Sequence, residues 1–200
     1  MYQNCIKRLL AIVLSLLGIL ALGWLLVVLS IAIKLDSPGP VLFKQKRVGR
    51  GKSHFYILKF RTMRTDTPKD MPTHLLMDPD RYITRVGRFL RKTSLDELPQ
   101  LFNILLGHMA IVGPRPALWN QFDLIAERDK YGANDIRPGL TGWAQINGRD
   151  ELEIDAKAYL DGEYVKNLSF AFDLKCFLGT IGAVLCRDGV VEGGTGAIRK

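Results

Sequence analysis

The sequence predicts a mainly helical α+β fold carried on an N-terminal membrane helix. Three observations predict it. Residues 9–33 hold no charge, a run longer than the roughly 20 residues a helix needs to cross a bilayer. Two short apolar runs, 41–43 and 55–58, read as strands. Apolar residues then recur at helical spacing after Ser94 and again after Phe172.

Composition bounds the rest. With 48% hydrophobic and 24% charged residues, the 200-residue chain is neither a disordered tail nor a low-complexity array. Its net charge of +8 calls for an anionic partner: nucleic acid, an acidic membrane surface or a phosphorylated substrate. Cys5, Cys176 and Cys186 form no metal spacing and leave an odd thiol, which fits a reducing compartment.

The apolar run at 9–33 exceeds a signal-peptide core, and no small-residue cleavage site precedes Lys34. We read residues 1–35 as a retained membrane anchor. Lys7 and Arg8 precede it, and Lys34, Lys44, Lys46, Arg47, Arg50 and Lys52 follow it. Positive charge on both flanks suits a spanning helix with its heavier end in the cytoplasm, or a segment that enters and leaves on one side. Gly18 and Gly23 are the candidate break points for the second geometry.

Residues 36–200 form the second unit, with a net charge of +5. It starts at the turn cluster Asp36-Ser37-Pro38-Gly39-Pro40. The two predicted strands flank a basic loop from Lys44 to Lys52, and 64–80 reads as a polar surface loop with Pro68, Pro72 and Pro79. Arg81, Arg85, Arg88 and Lys92 share one helical face, a solvated surface or a contact for lipid phosphates. The basic clusters come with no DNA- or RNA-binding signature, so no nucleic-acid partner is expected.

Thr93-Ser94-Leu95-Asp96-Glu97 has the spacing of a capping box, placing a helix N-terminus at Ser94. Leu95, Leu98, Leu101, Phe102 and Leu105 give that helix its apolar face, and Gly107 ends it. Capping alone explains two acidic residues there. A carboxylate so placed also stays ionised, able to attack phosphorus or hold Mg2+. Downstream, Val112-Gly113-Pro114-Arg115-Pro116, Arg137-Pro138-Gly139-Leu140-Thr141-Gly142 and Gln145-Ile146-Asn147-Gly148-Arg149 present arginines from stiff turns, as a pyrophosphate site would. A final helix over 172–185 carries Leu174, Phe177, Leu178, Ile181 and Leu185 on one side. That stripe fits an interfacial helix, and a core-packing face is the reading preferred.

These motifs in this order, together with Leu58-Lys59-Phe60-Arg61-Thr62-Met63, Leu98-Pro99-Gln100-Leu101-Phe102-Asn103, Trp143-Ala144 and Tyr164-Val165-Lys166-Asn167-Leu168-Ser169, resemble the bacterial sugar transferase family, in its small monotopic phosphoglycosyl transferase class. The resemblance implies a bacterial inner-membrane enzyme working on the cytoplasmic face. Such an enzyme moves a sugar 1-phosphate from a UDP-sugar to polyprenyl (undecaprenyl) phosphate and releases UMP, the first membrane step of exopolysaccharide or other glycoconjugate assembly. It implies Mg2+ as cofactor, Asp96 as the nucleophile of a covalent phosphosugar–aspartate intermediate, and Glu97 as the catalytic carboxylate beside the metal. Lys59, Arg91, Arg115, Arg137 and Arg149 match the positions of phosphate and nucleotide contacts. A re-entrant membrane helix and interfacial amphipathic helices are implied as well, with anionic lipids as partners and a homo-oligomer left open. The chain departs from the family where Gly23-Trp24 replaces a common Ser-Pro, and where Gly107-His108-Met109-Ala110 replaces Gly-Asp-Met-Ser. His108 is read as a surface or capping residue. No motif reads the sugar, which 64–80 and 117–136 are expected to influence. The alternative is a membrane-tethered nucleotide-sugar-binding or scaffold protein without chemistry.

Overall fold

A computed structural model describes residues 2–67, 79–148 and 152–186. Its longest element is α1 (Lys7–Asp36), which at 1.5 Å per residue is about 45 Å long. The helix passes Gly18 and Gly23 without a break. One face, including Ala11, Ser15, Leu29 and Ile33, is buried against the rest of the chain. The opposite face is apolar and open: Leu20, Trp24 and Leu35 are 71%, 67% and 83% exposed. Among the described residues α1 is the one helix long and apolar enough to cross a membrane.

Both ends of α1 are tied to the same body. Arg8 donates to the carbonyls of Ile104 and Leu105, at 2.5 and 2.9 Å. Lys7 pairs with Asp173 at 2.9 Å. At the far end the Asp36 carboxylate accepts from the Val86 amide at 3.0 Å, and Arg61 donates to the Ser37 carbonyl at 2.7 Å.

Next comes the antiparallel hairpin of β1 (Leu42–Val48) and β2 (His54–Phe60). The strands outrun the expected 41–43 and 55–58, so Lys44, Lys46 and Arg47 lie on β1 rather than in a loop. Tertiary partners account for the difference. Arg47 donates to the Pro116 carbonyl at 2.9 Å, and the Lys46 ammonium sits 5.3 Å from the Trp119 ring centroid. Phe55 and Ile57 bury one face of β2 against Ala11, Ile104 and Met109, while Phe60 packs with Leu29, Ile33 and Leu90.

The expected loop 64–80 lies mostly outside the described residues. α2 (Arg85–Thr93) begins at Thr84, whose hydroxyl accepts from the Gly87 amide at 2.9 Å. Arg81 therefore falls in a separate 3-10 turn, Pro79–Arg81, and only Arg85, Arg88 and Lys92 form the exposed basic face. Gly87 crosses Thr62 so closely that a Cβ would stand 2.0 Å from its carbonyl oxygen.

The helix expected to open at Ser94 does not. Ser94 takes a left-handed conformation (φ 56°) and closes α2 with its amide, and its side chain caps nothing. The chain then makes a 3-10 turn, Leu95–Glu97, and Pro99 precedes α3 (Gln100–Leu106). Gly107 ends α3 at φ 89°, as expected.

A two-stranded parallel sheet, β3 (Ala110–Val112) with β4 (Gly139–Thr141), joins two of the arginine-bearing motifs. Their backbones touch: a Cβ on Gly139 would lie 2.1 Å from the Gly113 nitrogen. Here glycine is required by space. Between these strands runs α4 (Phe122–Asp129); α5 (Trp143–Ile146), α6 (Ile154–Lys166) and α7 (Phe170–Cys186) follow. Val112, Ile136, Tyr164 and Cys176 form the core beneath β3. The stripe on α7 is not the expected packing face: Leu174, Phe177, Leu178 and Ile181 are 46–56% exposed, while Cys176 on the other side is buried. The Leu185 side chain lies outside the described residues.

Candidate active site

Four segments converge on Asp96 and Glu97. β2 delivers Lys59 near its end, the 3-10 turn carries both carboxylates, α2 brings Arg91, and the loop after β3 brings Arg115. Lys59 donates to Glu97 Oε1 at 2.7 Å, and Arg115 donates to the same oxygen at 3.0 Å. The Lys59 ammonium is 3.8 Å from Asp96 Oδ2, a charge contact rather than a hydrogen bond. Arg91 is fixed by Thr62, whose hydroxyl accepts from Nε at 3.0 Å.

These distances divide the two carboxyls. Burial pushes Asp96 above the usual carboxylate range, with Lys59 opposing and Glu97 reinforcing the shift. Burial acts on Glu97 in the same sense, yet Lys59 and Arg115 outweigh it and hold that carboxyl well below the usual range. Glu97 is thus the committed anion. Asp96, 14% exposed at the side chain, has no hydrogen-bonded cation among the described residues and keeps an electron pair of raised basicity.

Residues outside the expected set hold this arrangement. Asn103 on α3 accepts from the Leu58 amide and donates to the Tyr56 carbonyl, both at 2.8 Å. It locks α3 to the strand beside Lys59. Arg128 on α4 donates to the Arg115 carbonyl at 3.0 Å and pairs with Asp161 of α6 at 2.6 Å, both side chains at most 4% exposed. Asn103 closes the motif Leu98-Pro99-Gln100-Leu101-Phe102-Asn103, so the sequence carries a signal for it. Nothing local distinguishes Arg128 in a sequence, since its partner is 33 residues away.

Of the expected contacts, Lys59, Arg91 and Arg115 gather at the pair. Arg137 does not: its Nε donates to the carbonyl of Gly107, beyond the opposite end of α3. Arg149 lies outside the described residues. His108 is exposed and stacks on Phe55, with centroids 5.7 Å apart. No cluster of three His, Cys, Asp or Glu capable of holding a metal occurs among the described residues. Two adjacent carboxylates nevertheless suit Mg2+, which binds one or two carboxylates and takes its other ligands from phosphates and water.

Known proteins resemble most of the chain. The profile of a family described as bacterial sugar transferase matches residues 2–187. An uncharacterized sugar transferase, EpsL of Bacillus subtilis, is 44% identical over 160 residues, 80% of this chain and 77% of that protein. The exopolysaccharide production protein PSS of Rhizobium leguminosarum bv. phaseoli is 41% identical, over 91% of this chain and 96% of its own. The UDP-glucose:undecaprenyl-phosphate glucose-1-phosphate transferase of Escherichia coli is 39% identical over 90% of this chain. This chain spans only 40% of that relative's length.

Proposed function

The chain belongs to the bacterial sugar transferase family, and from that membership we propose that it transfers a sugar 1-phosphate from a UDP-sugar to undecaprenyl phosphate. The observation that carries the reading is the divided carboxylate pair, with Glu97 hydrogen-bonded by Lys59 and Arg115 and Asp96 meeting Lys59 only at 3.8 Å among the described residues.

In the first step an Asp96 oxygen attacks the β-phosphorus of the UDP-sugar. The bond from that phosphorus to the bridging oxygen breaks, and UMP leaves with the oxygen and its electron pair. In the second step the phosphate oxygen of the polyprenyl phosphate attacks the same phosphorus. The Asp96 oxygen departs as carboxylate, and the product is a polyprenyl diphosphate sugar. Lys59, Arg91 and Arg115 neutralise the diphosphate as negative charge moves toward the leaving group. Mg2+, held through Glu97 with Asp96 adjacent, would add charge neutralisation of the same kind.

The membrane reading rests on α1 and α7. Each large apolar side chain left open to water forgoes about 1.5–3 kcal/mol relative to burial, and the outer faces of both helices are built of such residues. Lipid is the medium in which that surface is stable. Both ends of α1 bind the catalytic body, at Arg8 and at Asp36, which supports placing both on the cytoplasmic side of the inner membrane.

The test is UMP release from a panel of UDP-sugars with undecaprenyl phosphate and Mg2+. The wild-type chain releases UMP with at least one sugar, and Asp96→Asn loses about a thousandfold or more of that rate while remaining folded. Folded protein that releases none across the panel contradicts the reading. UDP-sugar binding without turnover would favour a tethered binding protein instead.

A further inference from the structure

A shallow cleft open to solvent lies at the start of α1 and is lined by Arg8, Arg50, Arg137, Met109, Ala110 and Leu168, among others. Arg8 and Arg137 both reach it across Gly107. The Arg8 guanidinium lies where a Gly107 side chain would stand, 3.2 Å away, and Arg137 Nε donates to the Gly107 carbonyl at 3.1 Å. Arg50 enters from the hairpin turn, its Nε donating to the Asp135 carbonyl at 3.1 Å.

All three guanidiniums are held by backbone carbonyls, and among the described residues none forms a salt bridge with a carboxylate. Capping the C-terminus of α3 explains part of this, because a helix end carries roughly half a negative charge. Three full positive charges exceed that severalfold. Desolvation, then Arg50 and Arg8, lower the proton affinity of Arg137, so the cluster repels itself. Such an arrangement is stabilised by an anion, and planar guanidiniums match phosphate oxygens in bidentate fashion.

We propose that the Arg8–Arg50–Arg137 cleft binds a phosphate group, separately from the Asp96–Glu97 pair. Arg137 and the carboxylates lie beyond opposite ends of α3, so a phosphate held here is not the one undergoing transfer. The floor is apolar, with Ala11, Met109 and Leu168, and the cleft lies at the N-terminal end of α1, whose outer face carries the exposed Leu9 and Val13. The group therefore comes either from an anionic lipid whose chain lies along that face or from a soluble phosphate. The site acts as an anchor, holding the N-terminal end of α1 at headgroup depth when the source is lipid.

Hydrogen–deuterium exchange of the full chain in neutral detergent tests this without reference to turnover. One arm titrates a short-chain phosphatidylglycerol and the other inorganic phosphate. Exchange at residues 107–112 and 136–139 slows in at least one arm. Slowing with lipid alone assigns a lipid headgroup, and slowing with both assigns any phosphate. Arg50→Gln raises the titration midpoint about tenfold, the value of one charge-assisted hydrogen bond. Lys52→Gln removes the same charge from the same turn, but Lys52 pairs with Asp129, so its midpoint stays at the wild-type value. No slowing in either arm, or equal midpoints for Arg50→Gln and wild type, overturns the proposal. UMP release can fail with this binding intact, and the reverse, so the two readings fall separately.

Discussion

At the scale of single residues, the site depends on two neighbouring carboxyls being unlike. In the proposed reaction attack requires ionised Asp96, and burial raises its proton affinity above that of an ordinary aspartate. As pH falls, Asp96 protonates early, so the acid limb of UMP release lies above the ordinary aspartate value. Glu97 contributes to that shift as a neighbouring anion. Glu97→Gln removes the charge and frees Lys59 for Asp96. The prediction is a slower enzyme whose acid limb moves to lower pH, read from rate–pH profiles of the two proteins. An unmoved limb would show that the carboxyls titrate independently. The residues that gather at the pair were legible because each sits in a short motif: Lys59, Asp96, Glu97 and Arg115. Asn103 also sits in a motif, although its role depends on backbone groups 45–47 positions away, whereas Arg128 has no local signal and acts on a carbonyl 13 positions away.

At the scale of elements, the arginine-bearing loops are rigid because helices brace them. Arg128 on α4 reaches the Arg115 carbonyl while paired with Asp161 on α6. Asp161→Asn should cost about 3–5 kcal/mol by stranding a buried guanidinium, measured by chemical denaturation. The double variant Arg128→Met, Asp161→Leu should recover most of that loss. Its UMP release should nonetheless stay low, since the Arg115 carbonyl has lost its donor; full recovery of both would make the pair merely structural. Elements were legible where local pattern decides them: the uncharged run gave α1, and Gly107 gave the end of α3. Where distant contacts decide, local pattern failed. Ser94 has capping-box spacing, yet the sharp exit from α2 uses it in a left-handed turn. The charges of β1 read as a loop because Pro116 and Trp119, which receive them, lie some 70 residues on.

At the scale of the whole molecule, the question is how a 30-residue apolar helix sits relative to its catalytic body. A helix that crossed the bilayer would carry Arg8 away from Ile104 and Lys7 away from Asp173. Cys5 is exposed at that end, whereas Cys176 is buried. With Cys176 and Cys186 replaced by serine, a membrane-impermeant maleimide should label Cys5 in inverted inner-membrane vesicles and not in intact spheroplasts. Labelling from the outside would establish a spanning helix and break the contacts described. The exposed stripe on α7 belongs to the same scale. Periodicity marks a face as apolar in either case, and only the packed structure distinguishes burial in protein from an outward face.

The central claim is that Asp96 carries the sugar phosphate between two substrates. Incubating the chain with a UDP-sugar it turns over, but without polyprenyl phosphate, should trap that species. Peptide mass spectrometry after a rapid quench should then find the added sugar phosphate on Asp96, and adding undecaprenyl phosphate before the quench should discharge it. An adduct on any other residue, or none under conditions where UMP is released, would contradict the account.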